Sequence, residues 1–174
     1  SAGMCCKICG MGPCRLTKDG QTGVCGATID TIMSRNFARA VVAGCAAHTD
    51  HGMGMLDLFR DVLNGKIKDY TIKNPQKCIE VAQSIGIETE DRELQDIAMD
   101  LYHELERTYT QVDGEIPFAK RVPEKTLETW RKLGIVPRGA MREIMELMHR
   151  THMGVDQHYE NITTQCSRTA LADG

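Results

Sequence analysis

The sequence predicts an all-α protein in which a helical bundle follows a cysteine-rich loop. From Ala27 onward, apolar residues recur at three- and four-residue steps, the period of an amphipathic helix. No alternation of apolar and polar residues continues beyond about four positions, so no regular strand is expected. Residues 1–26 are rich in Gly, Cys and Pro and follow neither period. The predicted domains are therefore a loop at 1–26 and a helical domain at 27–174.

The first helix begins near Ala27, and the sequence predicts that it breaks halfway. Its recurring apolar residues are Ile29, Ile32, Met33, Phe37, Ala40, Val41 and Gly44. Two glycines between His48 and Gly54 predict the break. A second helix is expected at 55–63, closed by Asn64-Gly65 in the usual terminating position.

The later helices are placed by their caps and by the loops between them. Asn74 and Pro75 suit the cap and the first turn of a helix at 75–84. Residues 111–123 contain one glycine and two prolines and are expected to form a loop. The remaining apolar stripes predict helices at about 90–110, 124–133, 138–151 and 157–174.

The composition excludes several classes of function. The 174 residues carry a net charge of -3 and only 5% aromatic residues, so neither a basic surface nor stacking platforms for nucleic acid are expected. No apolar run reaches the roughly 18 residues that a membrane helix needs. The first residues lack the apolar stretch of a secretory signal. We expect a cytoplasmic protein without a transmembrane segment.

The eight cysteines are distributed unevenly. Five lie within the first 25 residues: Cys5, Cys6, Cys9, Cys14 and Cys25. A disulfide framework would spread its cysteines more evenly through a small secreted chain. One dense group in a chain without a signal instead predicts metal ligation in a reducing compartment. The other three occur singly in apolar helical patterns, where core packing is the ordinary role: Cys45, Cys78 and Cys166.

Four of the loop cysteines follow the spacing Cys6-x2-Cys9-x4-Cys14-x10-Cys25. Short gaps let one loop present three thiolates to a small inorganic cluster, and the long gap brings the fourth from the start of the first helix. Thiolates are soft, anionic donors that suit iron–sulfur clusters. The alternative is a structural zinc site, but such sites usually pair two short Cys-x2–4-Cys units. The spacing favours an iron–sulfur cluster.

Cys5 stands apart from this set although it directly precedes Cys6. Adjacent side chains diverge, so the two thiols cannot easily bind one small cluster. Cys5 is then either a ligand of a second cluster or a spare thiol packed under the loop. The residues alone leave both interpretations open.

Two histidine pairs have a three-residue spacing. On a helix, His48 and His51 would share one face, about 4.5 Å apart along the axis. This spacing suits a proton relay, because imidazole gains and loses protons near neutrality. The alternative is a solvated or hydrogen-bonded pair at a helix end, which the residues alone favour. A structural role is expected for His149 and His152, which lie at a predicted helix end, where a cation interacts favourably with the dipole.

Seven segments of the chain resemble the nickel–iron–sulfur carbon monoxide dehydrogenases, in order and along essentially its whole length. They are MCCKICGMGPCR at 4–15, GVCGA at 23–27, DTIMSRNFAR at 30–39, AAHTDHG at 46–52, WRKLGI at 130–135, MHRTHMGV at 148–155 and RTALADG at 168–174. The resemblance implies an anaerobic enzyme that converts CO and water to CO2, two protons and two electrons. This chain would be the N-terminal helical part, a fragment of a larger multidomain α/β enzyme.

The resemblance also implies roles for the loop cysteines. Cys6, Cys9, Cys14 and Cys25 match the ligands of a [4Fe-4S] cluster that relays electrons. Cys5 matches a ligand of an iron–sulfur cluster shared across a homodimer interface. That shared cluster takes a further cysteine upstream of this chain, which is expected to begin too late to contain it.

For the histidines, the resemblance reverses the weighting given above. His48 matches a histidine close to the nickel-containing active cluster, and His51 continues the proton path behind it. Gly54 stands where many members have another histidine, so the relay is expected to be shortened or rerouted. The ligands of the Ni-Fe-S active cluster lie in later domains of the family, outside this chain. Gly3 is interpreted as the last residue of the upstream cysteine motif.

The implied partners are a second copy of the chain, a ferredoxin-like electron acceptor and an acetyl-CoA synthase subunit. Two alternatives remain. One is a hybrid-cluster protein, a related helical iron–sulfur enzyme that also uses a Gly-Val-Cys-Gly turn, and the other is a stand-alone electron-transfer module. The adjacent cysteines, the segment from Gly12 to Arg15 and the pair of His48 and His51 argue against the first alternative.

Overall fold

The computed structural model describes residues 4–174, and Gly3, with the upstream motif assigned to it, lies outside the described residues. Within residues 4–174, six α-helices follow one short antiparallel hairpin, which confirms the all-α prediction. The strands are β1 (Cys5–Cys6) and β2 (Cys14–Arg15), and a 3-10 turn occupies Pro117–Arg121. The helices are α1 (Ile29–Leu63), α2 (Pro75–Ser84), α3 (Leu94–Thr110), α4 (Glu124–Leu133), α5 (Ala140–Arg150) and α6 (Tyr159–Asp173).

Side-chain and glycine caps fix several helix ends. The Thr28 hydroxyl accepts a hydrogen bond from the Thr31 amide at 3.3 Å and begins α1. The Asn74 side chain accepts from the Lys77 amide at 3.0 Å and begins α2. Gly134, with φ of 68°, closes α4 in the left-handed conformation that glycine adopts without strain. Helices α2 and α4 have the predicted bounds.

The predicted break between His48 and Gly54 was wrong, because α1 runs unbroken for 35 residues. The glycines have another role there. A Cβ added at Gly52 would lie 2.8 Å from Cζ of Tyr109 and closer still to its hydroxyl, so this glycine leaves room for the Tyr109 ring of α3. A Cβ at Gly54 would meet nothing within 4 Å. Packing against α3 therefore outweighs the weak helix propensity of the two glycines.

The face that α1 buries is more polar than the apolar pattern indicated. Met33 and Phe37 are 47% and 59% exposed, whereas Arg35 is 1% exposed. The buried residues of α1 are Thr31, Ile32, Ser34, Arg35, Ala38, Val42, Cys45, Thr49 and Leu63. The periodicity thus predicted the helix, but of the recurring apolar residues that defined it only Ile32 is buried.

Helix α1 is the centre of the bundle and packs against α3, α5 and α6. One core cluster joins α1 to α5 and α6 through Ala38, Val42, Leu147, Ile162 and Cys166. A second joins the end of α1 to α3 through Leu63, Ala98 and Tyr102, with Cys78 of α2 packed against it. Cys45 and Cys166 are buried, which confirms the expected core packing of these dispersed cysteines.

Burial also explains the chemistry of these core thiols. It raises the pKa of both Cys45 and Cys166 to about 11, so both side chains are neutral thiols at physiological pH. In the part of the chain that the structure covers, no helix has the length and apolarity needed to cross a bilayer.

The close approach of Gly52 to Tyr109 predicts opposite effects of alanine at the two glycines. Gly54→Ala is expected to stabilise α1 locally by about 1 kcal/mol, because alanine is the better helix former and has open space there. Gly52→Ala is expected to destabilise it by about 1–2 kcal/mol, because overpacking against the tyrosine exceeds that gain. Hydrogen exchange of the amides at 46–56 measures both effects. Equal protection in the two variants would contradict the packing role of Gly52.

Candidate metal centre

The hairpin of β1 and β2 positions the first and third cysteines of the spacing motif. Cys6 pairs with Cys14 and Cys5 pairs with Arg15. Because successive side chains of a strand point to opposite faces, Cys5 and Cys6 are directed apart. Cys6 is 8% exposed, and Cys5 is half-buried, with its carbonyl accepting a hydrogen bond from Nδ2 of Asn36 at 3.1 Å.

Two tight turns complete the loop. In the first, the Gly12 amide donates to the Cys9 carbonyl at 3.2 Å. A Cβ on Gly12 would lie 3.1 Å from the Cys14 nitrogen and 3.2 Å from the Cys6 oxygen, so a larger residue would require these backbone atoms to shift by a few tenths of an ångström. In the second, the Gly23 amide donates to the Ala27 carbonyl at 2.8 Å and directs the chain into α1.

The loop brings four thiols to one cavity: Cys6, Cys9, Cys14 and Cys25. Arg35, Met153 and several apolar side chains also line it, and Cys5 is not among the described lining residues. All eight cysteines of the chain are free thiols. Among residues 4–174, no three His, Cys, Asp or Glu side chains converge closely enough to bind a single metal ion. Four thiols around one cavity supply the soft sulfur donors that an iron–sulfur cluster takes.

Arg35 and Gln157, from distant parts of the chain, hold the last cysteine of the set. Nη1 of Arg35 lies 3.8 Å from Sγ of Cys25, and its Nη2 donates to the Asp156 carbonyl at 2.7 Å. Nε2 of Gln157 donates to the Cys25 carbonyl at 3.0 Å. The Gln157 carbonyl in turn accepts from the Thr31 hydroxyl at 2.6 Å. Cys25 is thus fixed by α1 and by the segment 151–158.

These contacts favour the thiolate form of Cys25. Burial alone would raise the pKa of this thiol. The Ala27 amide, the Arg35 guanidinium and Gln157 outweigh burial and lower its pKa below the usual value of a cysteine. A thiol that ionises readily is suited to bind iron.

Sequence reasoning missed Arg35 and Gln157 as parts of this centre. Arg35 occupies the position between Ile32 and Ala38 on the buried stripe of α1, where an apolar residue would be usual. A charged residue at a buried helical position is a signal that could have identified it. Gln157 lies 132 residues from Cys25 and has no comparable signal in the sequence.

An ion-pair network holds the segment 151–158 beside Cys25. Nη1 of Arg150 lies 2.9 Å from Oδ2 of Asp156, and its Nη2 lies 2.9 Å from Oε1 of Glu146. Nη2 of Arg138 binds the other oxygen of Glu146 at 2.6 Å. Burial alone would raise the pKa of Glu146, but the hydrogen bonds from Arg138 and Arg150 outweigh it and lower the pKa to about 2.

The structure places the first histidine pair on the unbroken helix α1, so the two residues have the three-residue helical spacing although a break was predicted there. Nδ1 of His48 lies 2.9 and 3.1 Å from the two carboxylate oxygens of Asp173 in α6. A carboxylate that accepts from Nδ1–H leaves Nε2 free to take up a proton. His48 and Asp173 line a cavity of about 510 Å3, together with Tyr109 and Trp130. His51 is exposed and is not among the lining residues described for that cavity.

The second histidine pair lies where a helix ends, as predicted. Helix α5 ends at Arg150, and the His152 amide donates to the His149 carbonyl at 3.0 Å. Both side chains are exposed. Their expected structural role at the helix end stays a prediction.

Comparisons with known proteins extend this picture. A family model described as Prismane/CO dehydrogenase matches residues 4–174. The chain is 42% identical over 175 residues to carbon monoxide dehydrogenase 1 of Methanosarcina acetivorans, covering 99% of this chain and 28% of that protein. It is 32% identical to the carbon monoxide dehydrogenase/acetyl-CoA synthase subunit beta of Moorella thermoacetica, covering 98% of this chain and 26% of that protein.

Solved structures have the same fold. A Ni-free carbon monoxide dehydrogenase from Thermococcus sp. AM4 superposes with a TM-score of 0.95 at 38% identity, covering 99% of this chain and 28% of that chain. A second solved structure is an acetyl-CoA synthase/carbon monoxide dehydrogenase, described with NiZn[Fe4S4] and NiNi[Fe4S4] clusters in its alpha subunits. It superposes with a TM-score of 0.94 at 32% identity, covering 99% of this chain and 26% of that chain.

The fold and the matches define a class first: an all-α chain that is similar over nearly its whole length to one part of the carbon monoxide dehydrogenases. The chain belongs to the Prismane/CO dehydrogenase family. It spans 28% of the length of the Methanosarcina and Thermococcus proteins, so the activity of a whole enzyme is a matter for proposal.

The charge network around Glu146 predicts an acid-dependent loss of stability. Because folding lowers the pKa of this group, its contribution is complete above the pKa of an unfolded glutamate and is lost as the pH falls towards about 2. Glu146→Gln is therefore expected to lower the free energy of unfolding by about 2–3 kcal/mol at pH 7. The difference from the unchanged chain should shrink below about pH 4.5.

Thermal unfolding of both proteins between pH 7 and pH 2.5 measures this dependence. Glu128→Gln is the matched control, because Glu128 is exposed on α4 and the change is expected to alter stability by less than about 0.5 kcal/mol. A difference for Glu146→Gln that stays constant with pH would contradict the assigned role of the carboxylate.

Proposed function

We propose that this chain is the cluster-binding, electron-relaying N-terminal part of an anaerobic carbon monoxide dehydrogenase, which converts CO and water to CO2, two protons and two electrons. The observation that carries the proposal is the convergence of four thiols on one cavity, in a chain of the Prismane/CO dehydrogenase family. The comparisons favour this function over a hybrid-cluster protein or a stand-alone module.

Four thiolates would hold a [4Fe-4S] cluster: Cys6, Cys9, Cys14 and Cys25. When bound, the cluster supplies one-electron transfer at low potential. The chain contributes the soft donors, a buried cavity lined by apolar side chains such as Ile8 and Ile32, and the Arg35 guanidinium beside Cys25. Burial and nearby charge are two of the means by which a protein sets the potential of such a group.

The remaining cofactors and partners belong to the complete enzyme. We assign Cys5 to an interface cluster shared between two copies of the chain in a homodimer, because it points away from the cavity of the other four. A ferredoxin-like protein would accept the electrons, and an acetyl-CoA synthase subunit is a further partner. The ligands of the Ni-Fe-S active cluster would lie outside this chain. The free thiols fit a reducing cytoplasm.

The division into a cluster-binding loop at 1–26 and a helical domain at 27–174 is part of the same proposal. The loop contributes Cys6 and Leu16 to a core cluster that it shares with Ala27 and Ile32 of the helical domain. The helical domain would therefore act as the platform on which the loop is held.

His48 and His51 would carry protons. Oxidation of CO releases two protons at a buried centre, and a neutral imidazole near that centre can accept one of them. The Asp173 carboxylate holds Nδ1 of His48 and leaves Nε2 as the accepting atom. His48 and His51 are both exposed in this chain, and His51, three residues further along the same helix, would pass the proton onward.

The cluster assignment predicts a specific loss on substitution of a loop cysteine. Cys9→Ser or Cys14→Ser is expected to remove or degrade one [4Fe-4S] cluster and to lower CO-dependent dye reduction strongly, because a thiolate ligand is lost. Iron analysis and dye reduction by the complete protein measure both effects.

Cys78→Ser is the matched control, because this half-buried thiol packs against the core near α3 and should leave the iron content unchanged. Normal iron content and electron transfer in the loop variants would remove the cluster assignment. A complete protein that binds iron but does not reduce dye with CO would be a hybrid-cluster protein or an electron-transfer module instead.

The proton-relay role predicts a kinetic effect without metal loss. In the complete enzyme, His48→Ala is expected to keep all clusters and to lower CO oxidation by roughly 10²–10⁴-fold, the usual contribution of a general base. His51→Ala should lose less, because water can bridge the gap that it leaves. His149→Ala, at the exposed end of α5, is the control. Full turnover of His48→Ala with intact clusters would leave this residue a structural helix histidine.

A further inference from the structure

Arg35 is a buried charge that the described part of the chain leaves unbalanced. Its side chain is 1% exposed, and none of the ion pairs found among residues 4–174 includes it. Its Nε is buried without a hydrogen-bond partner there. A buried guanidinium without a counter-ion is strongly unfavourable, so such a group usually has an anionic partner.

The carboxylate of Asp156 is the obvious protein candidate for that anionic partner, but it binds other groups. Asp156 offers Arg35 only its backbone carbonyl, at 2.7 Å. Its carboxylate binds Arg150 through Oδ2 at 2.9 Å and accepts the His158 amide through Oδ1 at 3.0 Å. The guanidinium instead lines the four-thiol cavity and places Nη1 3.8 Å from Sγ of Cys25.

We propose that Arg35 is the internal counter-ion of the cluster and raises its reduction potential, acting as a positioning residue through Cys25. The inference rests on the proposed binding of a [4Fe-4S] cluster by the four loop thiolates. With the cluster bound, one electron would enter it and later leave towards the ferredoxin-like acceptor, and no bond would form or break. Each electron adds one negative charge at the cavity, so a fixed positive charge beside a ligand sulfur favours the reduced state.

A purely structural role is the competing explanation. Through Asp156, Arg35 also ties α1 to the segment 151–158, and this tie alone would affect folding or cluster assembly. It would not move the potential of a cluster that assembles normally. The reduction potential of the assembled cluster therefore distinguishes a counter-ion from a residue that only holds α1 against the segment 151–158.

The test is an anaerobic redox titration of the complete protein, followed by electron paramagnetic resonance. The signal of this cluster is assigned by its loss in Cys9→Ser. Arg35→Met removes the charge at similar side-chain length and is expected to shift the reduction equilibrium at least tenfold towards the oxidised state, about 59 mV for one electron. Arg35→Lys keeps a positive charge, so the reduction potential of the cluster in this variant should stay close to that of the unchanged protein.

Arg39→Met is the matched control, one turn further along α1, where Nε of Arg39 donates to the Thr151 hydroxyl at 3.2 Å. The reduction potential of the cluster in Arg39→Met should equal that of the unchanged protein. An unchanged potential in Arg35→Met with full iron content would overturn the proposal, as would a lysine variant that behaves like the methionine variant. If Arg35→Met loses iron while Arg35→Lys keeps both iron and potential, the requirement for charge stands. Loss of iron in both variants would instead make Arg35 a structural clamp.

Failure of the proposed function would look different. In that case, the unchanged complete protein would itself show no [4Fe-4S] signal that depends on Cys9.

Discussion

The contact between the cysteine loop and the first turns of α1 determines whether the rest of the arrangement can exist. Apart from a ladder of two residues per strand and a few turns, the loop has little regular hydrogen bonding of its own. Leu16 and Ile32 are 1% and 0% exposed and pack together with Cys6, so apolar burial orders the loop. Once the loop is seated, Asn36 and Arg35 reach from the same helix to its backbone and to its last sulfur.

The helical bundle supports that contact through buried charges as well as apolar packing. Glu143 is fully buried in α5 and accepts from Nε and Nη2 of Arg138 at 2.9 Å and from Nε2 of Gln165 at 2.6 Å. A buried pair of this kind contributes little net stability, but removing one partner leaves an uncompensated charge. The bonds therefore specify how α5 and α6 lie against each other. That register in turn sets where Asp173 stands relative to His48.

Local signals in the sequence were sufficient for much of the fold but not for its contacts. Caps and breakers act within a few residues, so Asn74 and Gly134 fixed the bounds of α2 and α4. The same local rule failed at Gly52, because a glycine that admits Tyr109 from another helix cannot be distinguished in sequence from one that ends a helix. The cysteine spacing identified the thiols of the cavity, whereas Arg35 and Gln157 join it only through tertiary packing over 10 and 132 residues.

The unbroken course of α1 makes the number of residues between Arg35 and His48 as important as their identity. Arg35 and His48 lie on one continuous helix of 35 residues. Each residue of an α-helix turns the chain by about 100° and advances it by about 1.5 Å. A single insertion or deletion between them would carry His48 off the face that meets Asp173, and no loop is present in this interval to absorb the change. This stretch of the gene can therefore tolerate substitutions far more readily than changes of length.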